Sequence, residues 1–259
     1  MNNIILQTKN LSIGYTSKKE VLTIASDINI SLLKGKLITL IGGNGIGKST
    51  LLKTITAIQT PIFGEVILNN KDIFSIENLV LAQQQSLVLT DKLPSSNLTV
   101  WELIALGRQP YTNWIGTLSD EDYSKIKTAI QLTNIEHLSE KKHFEISDGQ
   151  LQKVLIARAL AQDTDLIILD EPTTHLDLFH KVSVFKLLQK LAHETEKCIL
   201  FSTHDIDLAI QLSDEMIVMT KGYCIQDQPC NLIEKGVFDT LFKDEHIVFD
   251  KTRGKFIVK

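Results

Sequence analysis

The chain has 259 residues, with 27 Lys plus Arg against 31 Asp plus Glu and a formal net charge of −4. That length can bury a substantial core, and 43% hydrophobic with 22% charged residues excludes a disordered or fibrous chain. The mild acidic balance supplies no basic field for nucleic acid or an anionic membrane surface, so no nucleic-acid partner is expected.

Read in chain order, MNNIILQTKN lacks the basic start, apolar run and cleavage site of an export signal. From Ile4 to Leu32 the pattern alternates, most clearly in Asp27-Ile28-Asn29-Ile30-Ser31-Leu32, which predicts short antiparallel strands with one buried face. After Lys34-Gly35 comes the apolar run Leu37 to Ile41, then a glycine-rich stretch and the helical sequence Lys48 to Ala57. Strand, loop and helix are expected in that order. Further apolar runs at Leu166 to Leu169, Cys198 to Phe201 and Met216 to Met219, with helix-length segments between them, predict βαβ units and a parallel sheet. All of these runs are far shorter than the roughly 20 residues of a transmembrane helix.

Between about 91 and 153 the signals turn helical. Ser119 is an expected N-cap with Asp122 at the capping-box position, and Tyr123, Ile126, Ala129 and Ile130 recur at helical spacing. The chain is therefore read as one composite domain over 1–259, with a core at about 1–90 and 154–221, a helical insertion at about 91–153 and a structural cap from about 222. Cys198, Cys224 and Cys230 form no C-x-x-C pair and read as free thiols in a reducing compartment.

Gly42-Gly43-Asn44-Gly45-Ile46-Gly47-Lys48-Ser49 matches G-x-x-x-x-G-K-S, placed after a strand and before a helix. The glycines let backbone N–H groups turn inward on a phosphate, and the helix N-terminus and Lys48 add favourable charge. ATP is the expected ligand, with Lys48 on the β and γ phosphates, the Ser49 hydroxyl on Mg²⁺ and Thr50 donating a further hydrogen bond. Leu166 to Leu169 runs into Asp170-Glu171, two adjacent carboxylates with divergent directions. Asp170 is expected to hold Mg²⁺ through water, and Glu171 to polarise the water that attacks the γ-phosphate.

Ile146-Ser147-Asp148-Gly149-Gln150 then opens the helix of Leu151, Val154, Leu155 and Arg158. Here the chain resembles the ABC transporter ATPase family, whose LSGGQ signature it matches with Asp148 in place of the first glycine. The resemblance implies a P-loop NTPase α/β fold: a mainly parallel sheet, an N-terminal antiparallel β-layer and a helical insertion. Tyr15 resembles the aromatic that stacks on adenine, Thr174-His175-Leu176-Asp177 the loop coupling two sites, and His204 the switch histidine. The resemblance also implies a homodimer closing head to tail on two ATP, with Ser147 to Gln150 of one copy facing the other copy's phosphates. Asp148 is expected to turn away, leaving Ser147 and the Gly149 N–H to make that contact. The partners implied are integral-membrane permease subunits and, indirectly, a substrate-binding protein, on the cytoplasmic face of the bacterial inner membrane.

Leu98 to Arg108 followed by Pro110-Tyr111 resembles the importer ATPases for iron-siderophore, heme or cobalamin. A soluble ABC ATPase and an importer ATPase for another substrate stay open as alternatives. The glutamine expected at the hinge before the helical insertion falls, by ungapped count, on Thr90, which would then stand near Mg²⁺. The competing position is Gln85.

Overall fold

In the structure, a computed structural model, residues 3–17, 20–89, 96–241, 247–251 and 253–258 are described. The alternating N-terminal stretch forms one long strand, β1 (Ile4–Thr16), with antiparallel partners β2 (Val21–Ile28) and β3 (Ser31–Leu33). The apolar run after the Lys34-Gly35 turn is β4 (Leu37–Gly42), followed directly by α1 (Lys48–Ile55). Next come β5 (Phe63–Leu68), β6 (Lys71–Asp72), the short α2 (Asn78–Ala82) and β7 (Gln85–Val88). β5 pairs with β1 and β6, so the antiparallel layer draws on residues well beyond the alternating stretch that announced it.

A helical segment holds α3 (Val100–Ala105), α4 (Asp120–Thr133) and α5 (Asp148–Ala161). The chain then returns to β8 (Leu166–Leu169), α6 (Leu178–Thr195), β9 (Cys198–Ser202), α7 (Ile206–Leu212), β10 (Glu215–Met219) and β11 (Cys224–Asp227). It finishes with α8 (Pro229–Glu234) and the hairpin of β12 (Ile247–Asp250) and β13 (Lys255–Val258), whose Phe249 stacks on Phe238 at 4.8 Å. Among the described residues the central sheet has the order β11-β10-β4-β9-β8-β7, parallel throughout except for β11. β7 and β8 are neighbours, so the helices α3 to α5 are inserted between two adjacent strands.

Period-two alternation divides the buried strands β4, β8 and β9 between two cores. Leu37, Ile41, Ile167, Leu169, Ile199 and Phe201 pack under the helices, α6 among them. Ile38, Leu40, Leu166, Ile168, Cys198 and Leu200 face α1 and the N-terminal sheet. The carboxyl ends of β4, β8 and β9 therefore open on the side where α1 begins.

The helical segment is tied together by a buried ion pair. Arg108 Nε lies 2.7 Å from Asp122 Oδ1, both side chains 4% exposed, and Arg108 Nη1 donates to the Ala161 carbonyl. Asp122 also accepts from Ser119 N and Oγ, completing the expected capping box of α4. Burial alone would raise the Asp122 pKa, but the hydrogen bonds from Ser119 and the Arg108 charge outweigh it, and the carboxyl titrates below its ordinary range. Gly107 lets this segment touch α5: a Cβ there would stand 2.2 Å from the Arg158 carbonyl oxygen.

Candidate functional site

Gly42 to Thr50 runs from the end of β4 through a loop into the first turn of α1, and the loop needs left-handed backbone at Gly45 (φ 71°) and Gly47 (φ 108°), a conformation open to glycine at no steric cost. Gly47 is the N-cap of α1, and Ile46 packs inward near Gly42. The Lys48 side chain is buried and its ammonium donates to the Gly42 carbonyl at 3.0 Å and, more weakly, to Gly43 at 3.4 Å. Burial lowers the Lys48 pKa, while the nearby Glu171 and Asp170 charges pull the other way. The loop borders an open cleft of about 330 Å³ lined by Tyr15, Ile24, Asn44, Gly45, Gly47, Lys48, Ser49, Thr50, Glu171 and His204. Tyr15 keeps 53% of its surface exposed while its hydroxyl lies 3.2 Å from Thr50 Oγ1, so its ring is free to take a flat ligand.

β8 ends beside this loop. Asp170 is buried, and Ser202 Oγ donates to its Oδ1 at 2.6 Å. Glu171 turns sharply with φ 46°; its Oε1 lies 2.8 Å from His204 Nε2 and its Oε2 accepts from Thr174 Oγ1 at 3.0 Å. A carboxylate held in this way beside a buried ammonium can orient a water and take its proton.

Ser147 to Gln150 do not line the cavity. Ser147 caps α5 in a reciprocal box with Gln150, and Asp148 is exposed in the first turn, where a carboxylate suits the helix dipole. Gly149 is buried against the His180 ring: a Cβ at Gly149 would stand 2.6 Å from His180 Cδ2. Asp177 caps α6, its Oδ1 accepting from His180 N and lying 2.8 Å from His180 Nδ1. The structure thus gathers the 42–50 loop, Tyr15, Glu171 and His204 at one place, and joins the 147–150 segment to Asp177 at another through His180. Thr90 lies outside the described residues. Gln85 sits at the start of β7, paired with Leu166, and its amide donates to the Thr56 carbonyl. Asp170 is level with the other end of that strand, where its N–H donates to the Val88 carbonyl.

Residues 25–174, more than half of the chain, match the ABC transporter family model. The chain belongs to the ABC transporter ATP-binding family. It is similar to the iron(3+)-hydroxamate import ATP-binding protein of Bacillus subtilis, 41% identical over 96% of this chain and 92% of that one. It is also similar to the achromobactin transport ATP-binding protein of Dickeya dadantii, 37% identical over 92% and 87%. Among solved structures, a chain of an inward-facing ABC transporter of proposed metal-chelate type aligns with a TM-score of 0.80 at 27% identity, covering 98% and 96%. A dimeric ATP-binding cassette holding ADP and Pi after hydrolysis aligns at 0.73 with 26% identity, covering 87% and 99%. The protein is the ATP-binding and ATP-hydrolysing subunit of an ABC transporter. No helix among the described residues is long and apolar enough to cross a membrane.

In this ABC cassette several contacts that shape the site lie outside its sequence motifs. Asp205, just after His204, accepts from Thr173 Oγ1 at 2.9 Å and from Lys181 Nζ at 2.7 Å, fixing the turn that presents the histidine. Ser202 and His180 are likewise unmarked by any motif. The signal for Ser202 was a count: setting the apolar runs Leu166 to Leu169 and Cys198 to Phe201 level puts Asp170 opposite Ser202.

Proposed function

We propose that this subunit powers import of an iron chelate of the siderophore class. The observation that carries this reading is the likeness, along nearly the whole chain, to a relative named for iron(3+)-hydroxamate import. In the proposed cycle two copies close head to tail on two ATP. Tyr15 stacks on adenine, and the 42–50 loop with Lys48 cradles the phosphates. Ser147 and the Gly149 N–H of the other copy contact the γ-phosphate, with Asp177 at the seam. The exposed ring of Tyr15, the buried Lys48 ammonium and the two turned glycines support these roles.

Ser49 and Asp170 offer hard oxygen donors at the phosphate loop and at the strand end, which suits Mg²⁺, an ion that keeps most of its shell for phosphate and water. Bound there, Mg²⁺ would neutralise developing phosphate charge. Glu171 would take a proton from the attacking water, and His204 holds that carboxylate in position through the 2.8 Å contact. Hydrolysis cuts the γ-phosphate from ADP, and departure of the freed phosphate then removes the charge that held the copies closed. A peripheral place on the cytoplasmic face of the cell membrane, docked on permease subunits and served by a substrate-binding protein, follows from the same reading. The test is uptake of radiolabelled ferric hydroxamate in cells lacking the gene. Uptake should vanish and return with the parent but not with Glu171→Gln. Unchanged uptake with intact ATPase activity of the purified protein would refute the iron assignment alone.

A further inference from the structure

Ser202 closes β9 with no exposed surface at all. The register of β8 on β9 pairs Leu169 with Phe201, so Asp170 and Ser202 stand level at the carboxyl ends of neighbouring parallel strands. Parity then turns both toward the face of Ile168 and Leu200, which packs on α1 below the phosphate loop. The single hydroxyl is used twice: it donates to Asp170 Oδ1 at 2.6 Å and accepts from Glu171 N at 2.8 Å. That second bond holds the backbone of a residue whose φ of 46° lies in the left-handed region. A serine that only filled space would not need both contacts, and cysteine or alanine would fill it as well.

We propose that Ser202 is a positioning residue for hydrolysis, fixing with one hydroxyl both the Asp170 carboxylate and the turn that presents Glu171. This rests on the roles given above to Asp170 at the metal and Glu171 at the attacking water. Its proton is committed to Asp170, so its lone pair faces the Glu171 N–H, and the two carboxylates are held in one fixed relation. Loss of the hydroxyl frees Asp170 to rotate and lets the Glu171 turn relax. Neither change touches the loop that binds the nucleotide's phosphates.

The experiment compares the parent with Ser202→Ala, Ser202→Cys, which keeps the volume but bonds weakly, and Ser202→Thr, which keeps the hydroxyl. Fluorescent ATP-analogue binding in EDTA and in Mg²⁺, ATPase against Mg²⁺ concentration, and thermal melting are measured on each. Alanine and cysteine should raise the Mg²⁺ needed for half-maximal activity on the order of tenfold and lower kcat by a similar factor, as removal of an outer-shell partner does. They should also erase most of the Mg²⁺-dependent gain in analogue affinity while leaving affinity in EDTA unchanged. Threonine should restore the Mg²⁺ response. Parental kcat and Mg²⁺ dependence in both variants would overturn the proposal, as would equal losses with and without Mg²⁺ or failure of both to melt cooperatively. Glu171→Gln, run in parallel, separates the two readings: if it turned over normally the base assignment would fail, while the Mg²⁺ shift would still judge the arm to Asp170.

Discussion

Replacing Asp122 by alanine should cost this cassette more stability than any surface change in the helical segment. The Arg108 guanidinium lies 2.7 Å from the Asp122 carboxylate, with both side chains 4% exposed, so the alanine variant leaves a buried cation without its counter-charge. At a charge separation of about 4 Å and an effective dielectric of about 20, the lost attraction is about 4 kcal/mol. That agrees with the roughly 3–5 kcal/mol seen when one partner of a buried pair is removed. The capping bonds from Ser119 are lost with it, adding about 1 kcal/mol. Urea unfolding followed by circular dichroism measures the loss, and the double variant Arg108→Met, Asp122→Leu should recover most of it, because an apolar pair needs no compensation. Asp122 titrates below its ordinary value. Its contribution is therefore complete above the ordinary carboxylate range, about pH 4, and is lost as pH falls through the lower folded value. The deficit of the alanine variant should persist from neutral pH to about pH 4 and shrink below it. A loss under about 1 kcal/mol, or a double variant as weak as the two single losses added together, would refute the argument.

Glu171→Gln keeps shape but removes the base, so ATPase turnover should fall by about 10² to 10⁴ and the ATP-bound dimer should accumulate on gel filtration; turnover within about threefold of the parent would refute the assignment. Asp148→Gly removes an exposed first-turn carboxylate and should change ATP affinity by less than tenfold, about 1.4 kcal/mol, in an equilibrium titration. Gly149→Ala drives a methyl to 2.6 Å from the His180 ring and should cut ATPase by about tenfold or more by shifting the start of α5, with His180→Ala restoring part of the loss; silence in the assay would show that the ring simply moves aside. Gln85→Ala removes a bond to Thr56 at the start of β7 and should lower stability by about 1 kcal/mol without altering stimulation by the membrane partner, whereas Thr90→Gln should alter that stimulation.

What the sequence disclosed about this site follows from how local each feature is. Gly42 to Ser49 carries its own backbone signal, since the glycines and the Lys-Ser pair act within a few residues of one another. The capping boxes at Ser119 and Ser147 each join residues three apart, so the spacing that predicts the first holds for the second as well. The Asp170 to Ser202 bond links residues 32 apart and needs the strand register to be seen. The Gly149 to His180 contact depends on how α5 meets α6, and no single segment encodes that. β5 and β6 carry only weak alternation, and the strand that pairs with β5 lies in the first sixteen residues while β6 pairs with β5 alone. Leu98 to Tyr111 was noticed for its likeness, but its physical cause, a glycine at the α5 backbone beside a buried arginine, appears only once the helices are packed.

The left-handed turn at Glu171 gives the site an uneven relation to the stability of the whole molecule. A glutamate in that region costs about 1–2 kcal/mol over a residue at ease there. Glycine or asparagine at 171 would relieve the cost and remove the carboxylate proposed as the base. Stability selection acting alone would therefore drift toward a sturdier and inert cassette. In such drift the His204 imidazole would lose its carboxylate partner, while the Ser202 hydroxyl would keep its bond to Asp170 and lose only its hold on a strained turn.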